Sequence, residues 1–419
     1  MAASGRSLVS GSDEPIDWDY IFQVAAWGCS HPRPEKKLQI RSLVGFIGGT
    51  EKFCNFVLCN HNIIICRTGG RMKIHMKIIK KAIKIICSIL LCALIIFLII
   101  GYFTTRSDFK NPPEHYATIG KRVYTAVPAM LVDPTYDSLN LSGRGIKIGV
   151  LDAGFGGLRQ RSWTKNLQIA AYANFVSGDT VGFFSEKSGR DRDHGAYSCA
   201  CTGGSLTQDT IKGLAWNATY YLAEIDDIDA EPRLEEMRMM NGIRWLLANE
   251  VDIITSSCGY TIFDDYDGYS VQMFDGHSSR ISYFIDSVLQ ANPNLIFIQS
   301  MGNEGNKSWR YGNFPADVQE VISVGVVEKD GTTRANYSSI GREGTIKPDI
   351  CAYVQPPRRG TSFSAPAIAG LCATLLEHKR MSRKELIDLL HASGLNHSAP
   401  NNEIGYGVPQ TSRMSLPLD

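Results

Sequence analysis

Between residues 145 and 326, short runs of β-branched and apolar residues alternate with longer amphipathic stretches. The short runs are apolar at consecutive positions, which is typical of strands buried on both faces of a parallel sheet. The amphipathic stretches repeat their apolar positions with helical spacing. We predict an α/β fold, a mainly parallel central sheet with helices on both faces. The predicted strands are 145–152, 214–223, 252–259, 295–300 and 321–326, and the predicted helices are 234–248 and 281–291.

A different pattern precedes this domain. Residues 85–103 carry no charge, and a helix of about 20 apolar residues can cross a bilayer core. Lysines are concentrated on the N-terminal side of this run, which predicts that this side stays in the cytoplasm. No small-residue cleavage site follows the run, so we predict one transmembrane helix acting as an uncleaved signal anchor, with everything after it extracytoplasmic; a cleaved anchor, which would make the domain secreted, is the alternative. The lysines are Lys73, Lys77, Lys80, Lys81 and Lys84.

The remaining segments set the domain boundaries. Residues 1–71 show no lasting periodicity of apolar positions. The sequence leaves open whether translation starts at Met1, Met72 or Met76. We predict a basic flank and transmembrane anchor over 72–104, followed by a proline-interrupted linker or lead-in arm over 105–141. The α/β domain then covers 142–410, and a C-terminal tail covers 411–419.

Composition narrows the choice of partners and metals. Forty-three basic and 42 acidic residues give a net charge of +1, so no global charge favours nucleic acid. The eleven cysteines are scattered, and five lie beyond residue 103, so buried thiols are favoured over a disulfide framework. A metal set could be written from Cys54, Cys59, His61 and Cys66, but its spacing is not a standard zinc pattern, and incidental cysteines are favoured.

Four polar residues stand where an α/β fold gathers functional groups. Asp152 ends a predicted buried strand, and Asn303 follows another. His194 precedes Gly195, which allows close backbone approach. Ser362 lies in Gly360-Thr361-Ser362-Phe363-Ser364-Ala365-Pro366, a turn that leads into a buried helix, where N–H groups and the helix dipole stabilise negative charge. Taken singly, a turn-forming aspartate, a structural histidine and a capping serine are the alternatives.

Taken together, the four residues supply the parts of an acyl-transfer site. Such a site needs a nucleophile, a base, a group that orients the base, and donors for the developing oxyanion. Ser362, His194, Asp152 and Asn303 meet these needs if the fold brings them together. Their order along the chain, Asp, His and Ser, is the order found in subtilisin.

The domain resembles the subtilisin-like serine peptidases, or subtilases, over about residues 142–410. The resemblance rests on several motifs in family order. They are Val150-Leu151-Asp152-Ala153-Gly154, His194-Gly195, Ser257-Cys258-Gly259, Gly302-Asn303-Glu304-Gly305, Gly360 to Pro366, and shorter matches at Tyr337-Ser338-Ser339, Lys347-Pro348-Asp349-Ile350 and Gly405-Tyr406-Gly407.

The resemblance implies a subtilisin-like fold and a serine endopeptidase that acts on polypeptides. It implies that Ser362 is the nucleophile, His194 the base, Asp152 its orienting partner and Asn303 an oxyanion donor. The implied substrate-binding residues are Ser257, Cys258, Gly259, Ser300, Met301 and Gly302. No cofactor is implied for catalysis. Acidic clusters at Asp226-Asp227-Asp229 and Asp264-Asp265-Asp267 could hold structural Ca²⁺, although solvated loops are favoured.

The sequence departs from the family pattern at three places. Tyr197 and Ser198 occupy the neighbourhood in which the family usually carries a second histidine. The link from Asp349 to Gly360 is short and carries Arg358 and Arg359, and no segment resembles an inhibitory propeptide. Two other functions therefore stay open: an inactive relative that binds peptides or proteins in the same cleft, and an esterase or amidase that uses the same triad.

Overall fold

The structure, a computed structural model, describes residues 40–46, 51–59, 62–67, 84–91, 116–177, 193–227, 229–356 and 358–416, the first three ranges by their backbone alone. The chain divides into two compact units, residues 1–102 and 103–419.

In the N-terminal unit, three strands form an antiparallel sheet in the order β1-β2-β3. The strands are β1 (Ile40–Phe46), β2 (Glu51–Cys59) and β3 (Asn62–Arg67). Cys54, Cys59 and Cys66 of the considered metal set lie on β2 and β3, while His61 lies outside the described residues.

The predicted membrane anchor is described only in part. Residues 84–91 are helical and exposed, and 92–103 lie outside the described residues. Within the described ranges, no helix has the length and apolar character needed to span a bilayer.

The second unit contains a small four-stranded sheet in the order β4-β5-β9-β8. Its strands are β4 (Tyr116–Ile119), β5 (Arg122–Thr125), β8 (Ser205–Thr207) and β9 (Thr210–Ile211). Residues 116–141, part of the predicted linker, are therefore folded in this structure. Tyr124, Leu131 and Tyr136 from this stretch are buried in the main core.

The described part of this unit also contains a seven-stranded sheet that is parallel throughout, in the order β14-β13-β12-β11-β6-β10-β7. Its strands are β6 (Lys147–Asp152), β7 (Gln168–Asn174), β10 (Thr219–Glu224), β11 (Ile253–Ser256), β12 (Ile296–Ser300), β13 (Ile322–Val327) and β14 (Ile350–Tyr353). The predicted mainly parallel sheet is confirmed.

Two strand boundaries in the prediction are wrong, and one of them is the end of the strand predicted over 252–259, which stops at Ser256. The strand predicted over 214–223 begins only at Thr219. The preceding residues form a turn, in which Ala218 N–H donates to Ala215 and Asn217 N–H donates to Ser142. Their apolar character reflects burial of this turn rather than strand pairing.

The sheet reverses its order of growth at β6. This strand lies between β10 and β11: β10 and β7 lie on one side of it, and β11 to β14 follow in sequence on the other. In open α/β sheets, functional groups gather at the carboxyl ends of the strands flanking such a reversal. Asp152 ends β6 and therefore lies at this point.

Helices cover both faces of the sheet. The described helices of the second unit are α1 (Ala126–Ala129), α2 (Pro134–Ser138), α3 (His194–Gly203), α4 (Leu234–Ala248), α5 (Arg280–Ala291), α6 (Thr361–His378) and α7 (Arg383–Ser393). Residues of α3, α6 and α7 share one buried cluster, and residues of α4 and α5 share another.

Strand β6 contributes to both clusters because neighbouring side chains point to opposite faces. Ile148 and Val150 belong to the first cluster, and Leu151 belongs to the second. Helices α3 and α6 approach closely on the first face, where a side chain on Gly370 would lie 2.4 Å from the carbonyl oxygen of Thr202. Near their starts the same two helices also meet, with the rings of His194 and Phe363 5.6 Å apart between centroids.

Candidate active site

Asp152 is fully buried at the carboxyl end of β6. Its Oδ1 accepts a hydrogen bond of 2.8 Å from the backbone N–H of Ala153. A buried carboxylate is costly unless it is hydrogen-bonded, so its partners are of particular interest.

His194 begins helix α3 and contacts this carboxylate directly. Its Nδ1 lies 2.5 Å from Oδ1 of Asp152. The next residue allows the approach: Gly195 N–H donates to the carbonyl of Gly154 at 2.7 Å, and a Cβ on Gly195 would lie 2.7 Å from that same oxygen. The aspartate loop and the histidine helix are thus joined by backbone as well as by side chains.

Ser362 is the second residue of helix α6 and is almost fully buried. Gly360 precedes the helix with a φ of 133°, a conformation that favours glycine. Because the first N–H groups of a helix have no partner in its i→i−4 ladder, the start of the helix carries the positive end of the dipole, and Ser362 lies there. The helix supplies the electrostatic setting that a nucleophilic serine requires.

Pro366 changes the hydrogen bonding of this first turn. In a regular helix the N–H of residue 366 would donate to the carbonyl of Ser362, but proline has no N–H. The Ser257 hydroxyl donates to that carbonyl instead, at 3.1 Å. Ser257, one of the predicted substrate-binding residues, thus also supports the backbone of Ser362 through its hydroxyl.

Two further contacts connect the surroundings of Asp152 and Ser362. Ser198 Oγ donates to Oδ2 of Asp152 at 2.7 Å and lies 3.4 Å from Ser257 Oγ. The ring of Phe363, adjacent to Ser362, lies 5.6 Å from the His194 ring, measured between centroids. The structure therefore gathers residues from β6, α3, the segment after β11 and α6 into one site.

Asn303 lies across the start of α6. Its Oδ1 accepts hydrogen bonds from Thr361 N–H at 2.9 Å and from Thr361 Oγ1 at 3.3 Å. Because both hydrogen bonds are accepted by Oδ1, the amide nitrogen Nδ2 is left as the hydrogen-bond donor of the side chain. A Cβ on Gly360 would lie 3.6 Å from this nitrogen, so the donor is at the helix start.

The loop that carries Asn303 depends on glycine. Gly302 has a φ of 108°, and a Cβ there would lie 2.6 Å from Oδ1 of Asn313. Its N–H donates to Thr361 Oγ1 at 3.0 Å. Ser300 and Met301, also predicted to bind substrate, are buried, and Met301 packs in the second core cluster.

The other predicted substrate-binding residues follow β11. Ser257 to Gly259 lie beyond the β11 ladder, which ends at Ser256. The carbonyl of Cys258 accepts from Gln299 Nε2 at 2.7 Å, and that of Gly259 accepts from Asn313 Nδ2 at 3.4 Å. This backbone extends the carboxyl edge of the sheet next to Ser362.

The position of the missing second histidine is filled by a cationic–aromatic cluster. The ring of Tyr197 has the guanidinium of Arg358 at 3.3 Å and that of Arg161 at 4.5 Å from its centroid. Arg161 also pairs with Asp193 at 2.5 Å. Arg358 lies 5.5 Å from the ring of Phe363, so this cluster adjoins the start of α6.

Acidic groups lie on the other side of Asp152. Burial raises the pKa of Asp226, and the charge of Asp152 contributes to the rise. Burial, together with the charge of Asp226, raises the pKa of Glu231 to about 7 and that of Glu235 to about 8. Each of these carboxyl groups therefore keeps its proton to a higher pH than a free carboxyl group does.

In the second acidic stretch considered for Ca²⁺, two carboxylates accept hydrogen bonds from the backbone of residues 231 and 233. Asp264 Oδ2 accepts from Glu231 N–H at 2.8 Å, and Asp265 Oδ1 accepts from Arg233 N–H at 2.7 Å. In the part of the chain that the structure describes, no group of three or more His, Cys, Asp or Glu side chains could hold a metal ion.

The cysteine side chains near the core behave as small apolar residues. Cys199, Cys258, Cys351 and Cys372 are buried unpaired thiols. Burial raises the pKa of each thiol, which keeps it protonated. The prediction of buried thiols is confirmed for these four.

Comparison with known proteins identifies the family. A sequence model of the subtilase family matches residues 143–407. Subtilisin DY from Bacillus licheniformis is 23% identical over 263 residues, 61% of this chain and 85% of that protein. Subtilisin NAT from Bacillus subtilis subsp. natto is 23% identical over 269 residues, 62% of this chain, and the match spans only 63% of its length.

A solved structure agrees at the level of the fold. The CspB protease of Clostridium perfringens has a TM-score of 0.53 at 15% identity, covering 68% of this chain and 97% of that one. The chain therefore belongs to the subtilase family and is a serine endopeptidase of the subtilisin type.

Proposed function

We propose that this chain hydrolyses peptide bonds through an acyl-enzyme, with Ser362 as nucleophile, His194 as base and Asp152 as the residue that orients the base. The observation that carries the proposal is the 2.5 Å contact between His194 Nδ1 and a fully buried Asp152, beside a serine at a helix N-terminus. With Nδ1–H donated to the carboxylate, Nε2 is the basic nitrogen.

The reaction then proceeds in two halves. Ser362 Oγ attacks the scissile carbonyl carbon while its proton moves to His194 Nε2. Asn303 Nδ2 and the Ser362 N–H donate to the resulting oxyanion. The C–N bond breaks as His194 returns the proton to the leaving amine, and water, activated by the same imidazole, hydrolyses the acyl-enzyme. No step needs a cofactor.

The substrate is an extended polypeptide. Ser257 to Gly259 continue the chain beyond the β11 ladder, which ends at Ser256, and lie beside Ser362; an extended peptide can pair with such a segment as an added strand. Ser300, Met301 and Gly302 form the adjoining loop. Side-chain preference would be set by the groups that flank this strand.

The test is hydrolysis by the full chain of a panel of denatured proteins, peptides and matched esters. We expect endoproteolytic cleavage that is lost in Ser362→Ala. Ester hydrolysis without peptide hydrolysis would instead indicate an esterase, and binding of peptides without either reaction would indicate an inactive relative.

We also propose that residues 85–103 tether the enzyme to a membrane, with the catalytic unit outside the cytoplasm. The uncharged run and the preceding lysines support this topology. Alkaline extraction of membranes should leave the full-length protein in the pellet. Release of the full-length protein into the supernatant would contradict the tether without affecting the proposed chemistry.

A further inference from the structure

Ser198 lies on the same helix as His194 and contacts the same carboxylate, that of Asp152. The two residues are four positions apart on α3, so the helix places them one turn apart on one face. His194 Nδ1 lies 2.5 Å from Oδ1 of Asp152, and Ser198 Oγ lies 2.7 Å from Oδ2. Side chains from one face of α3 thus contact both oxygens of the Asp152 carboxylate.

Burial makes this second contact important. Asp152 and Ser198 are both fully buried, so water does not solvate Oδ2. The described donors to Oδ1 are His194 Nδ1 and the Ala153 N–H, whereas the described donor to Oδ2 is the Ser198 hydroxyl. An ionised carboxylate in such a setting is favoured by each hydrogen bond it accepts.

The proton of Ser198 has one destination. A serine hydroxyl has a single hydrogen to donate, and the carboxylate is the acceptor at 2.7 Å. The neighbouring Ser257 hydroxyl, 3.4 Å away, directs its own hydrogen to the carbonyl of Ser362. The hydrogen of Ser198 is therefore committed to Asp152, and that of Ser257 to the backbone of Ser362.

We propose that Ser198 is a positioning residue that acts through Asp152, an inference that rests on the proposed function. Its hydroxyl fixes the rotation of the carboxylate so that Oδ1 faces the imidazole. It also shares the negative charge of Asp152 as the imidazolium forms. The serine thus supports proton transfer without touching the substrate.

The test compares Ser198→Ala and Ser198→Thr with wild type in the full chain, using one peptide substrate across the pH range. Ser198→Ala should lower kcat about tenfold or more and leave KM within about twofold, because a hydrogen bond to a charged group is lost. The acid limb of the kcat/KM profile should move to higher pH, since the unshared charge of Asp152 favours the imidazolium. Ser198→Thr, which keeps the hydroxyl, should restore most of kcat.

Ser393→Ala is the matched control. Ser393 is fully buried near the end of α7 and donates to the carbonyl of Leu390 at 3.0 Å, away from the site. It should lower the melting temperature while leaving kcat and the pH profile unchanged. The ionisable neighbours Asp226, Cys199 and Cys258 stay the same in every variant.

If Ser198→Ala does not fold, Ser198→Cys replaces it, because a thiol is similar in size and only a weak donor. A wild-type kcat and pH profile in the folded variant, with Ser362→Ala inactive, would overturn the role of Ser198 and leave the proposed function standing. Absence of hydrolysis by wild type would overturn both.

Discussion

The two sides of the candidate site are constructed differently. On the side proposed to transfer protons, Asp152 is held by side chains of His194 and Ser198 that project from one helix. On the oxyanion side, Asn303 is held mainly by the N–H of Thr361, next to Gly302 at a positive φ. The first side is formed by two side chains of one helix together with the Ala153 N–H, whereas the second combines the N–H and hydroxyl of Thr361 with the backbone conformation of Gly302. Substitutions should therefore affect proton transfer on one side and charge stabilisation on the other.

The largest effect on this comparison is expected from Asp152→Asn. An asparagine can keep the contact to His194 but favours the wrong tautomer, so kcat should fall by about 10⁴-fold while KM changes little. Steady-state kinetics with a peptide substrate measures this. Asp317→Asn is the matched control, because Asp317 is buried and accepts from Ser282 Oγ at 2.5 Å outside the site. A loss of similar size in both variants would point to a general effect of buried aspartates.

On the oxyanion side, Asn303→Ala should lower kcat by about 10²–10³-fold, a range established with subtilisin itself. The charge-stabilising amide is removed, whereas proton transfer to His194 remains, so the pH profile should keep its shape. Asn402→Ala provides the control, because Asn402 Nδ2 donates to the Gly341 carbonyl at 2.9 Å and is not part of the site. A shift of the acid limb in Asn303→Ala would show that the two sides are not separable.

The smallest effect concerns how the free energy of unfolding depends on pH through Glu235, a buried acidic residue near the site. The pKa of Glu235 is raised from 4.5 to about 8, first by burial and then by the charge of Asp226. Folded protein therefore keeps a proton that the unfolded chain has lost, and the free energy of unfolding should decrease as pH rises from about 4.5 to about 8. Glu235→Gln cannot ionise and can still accept from the Asp227 N–H, so this decrease should be smaller.

Chemical denaturation at pH 5 and pH 8 measures the difference. Glu250→Gln serves as the control, since the Glu250 side chain is 85% exposed. An equal decrease with pH in wild type and Glu235→Gln would show that Glu235 does not carry the dependence.

Much of the sheet could be predicted because its strands are continuous apolar runs. Strand β6 and helix α4 lie at or within a residue or two of the predicted bounds. Strand β7 was not predicted: it lies at the edge of the sheet and is mostly half-exposed, so it lacks a continuous apolar run. Strand β14 is only four residues long and gives a weak signal.

The chemistry-bearing residues could be named from motifs, but their supporting contacts could not. Ser198 was noticed only as a departure from the family pattern. Its contact with Asp152 joins residues 46 positions apart and depends on how α3 meets β6. The roles of Thr361 and of the Ser257 hydroxyl likewise depend on packing between distant segments. The spacing of His194 and Ser198 at one helical turn is the signal that could have indicated a shared target.

The most direct test of the central claim is labelling of the full chain at pH 8 with a fluorophosphonate, which reacts with an activated serine. We expect one labelled site at Ser362, located by peptide mapping, with labelling lost in Ser362→Ala. Ser364→Ala, a buried serine of the same helix whose hydroxyl donates to the Thr361 carbonyl, should label as wild type does. Folded wild-type protein that takes up no label, or labelling that persists in Ser362→Ala, would contradict the account.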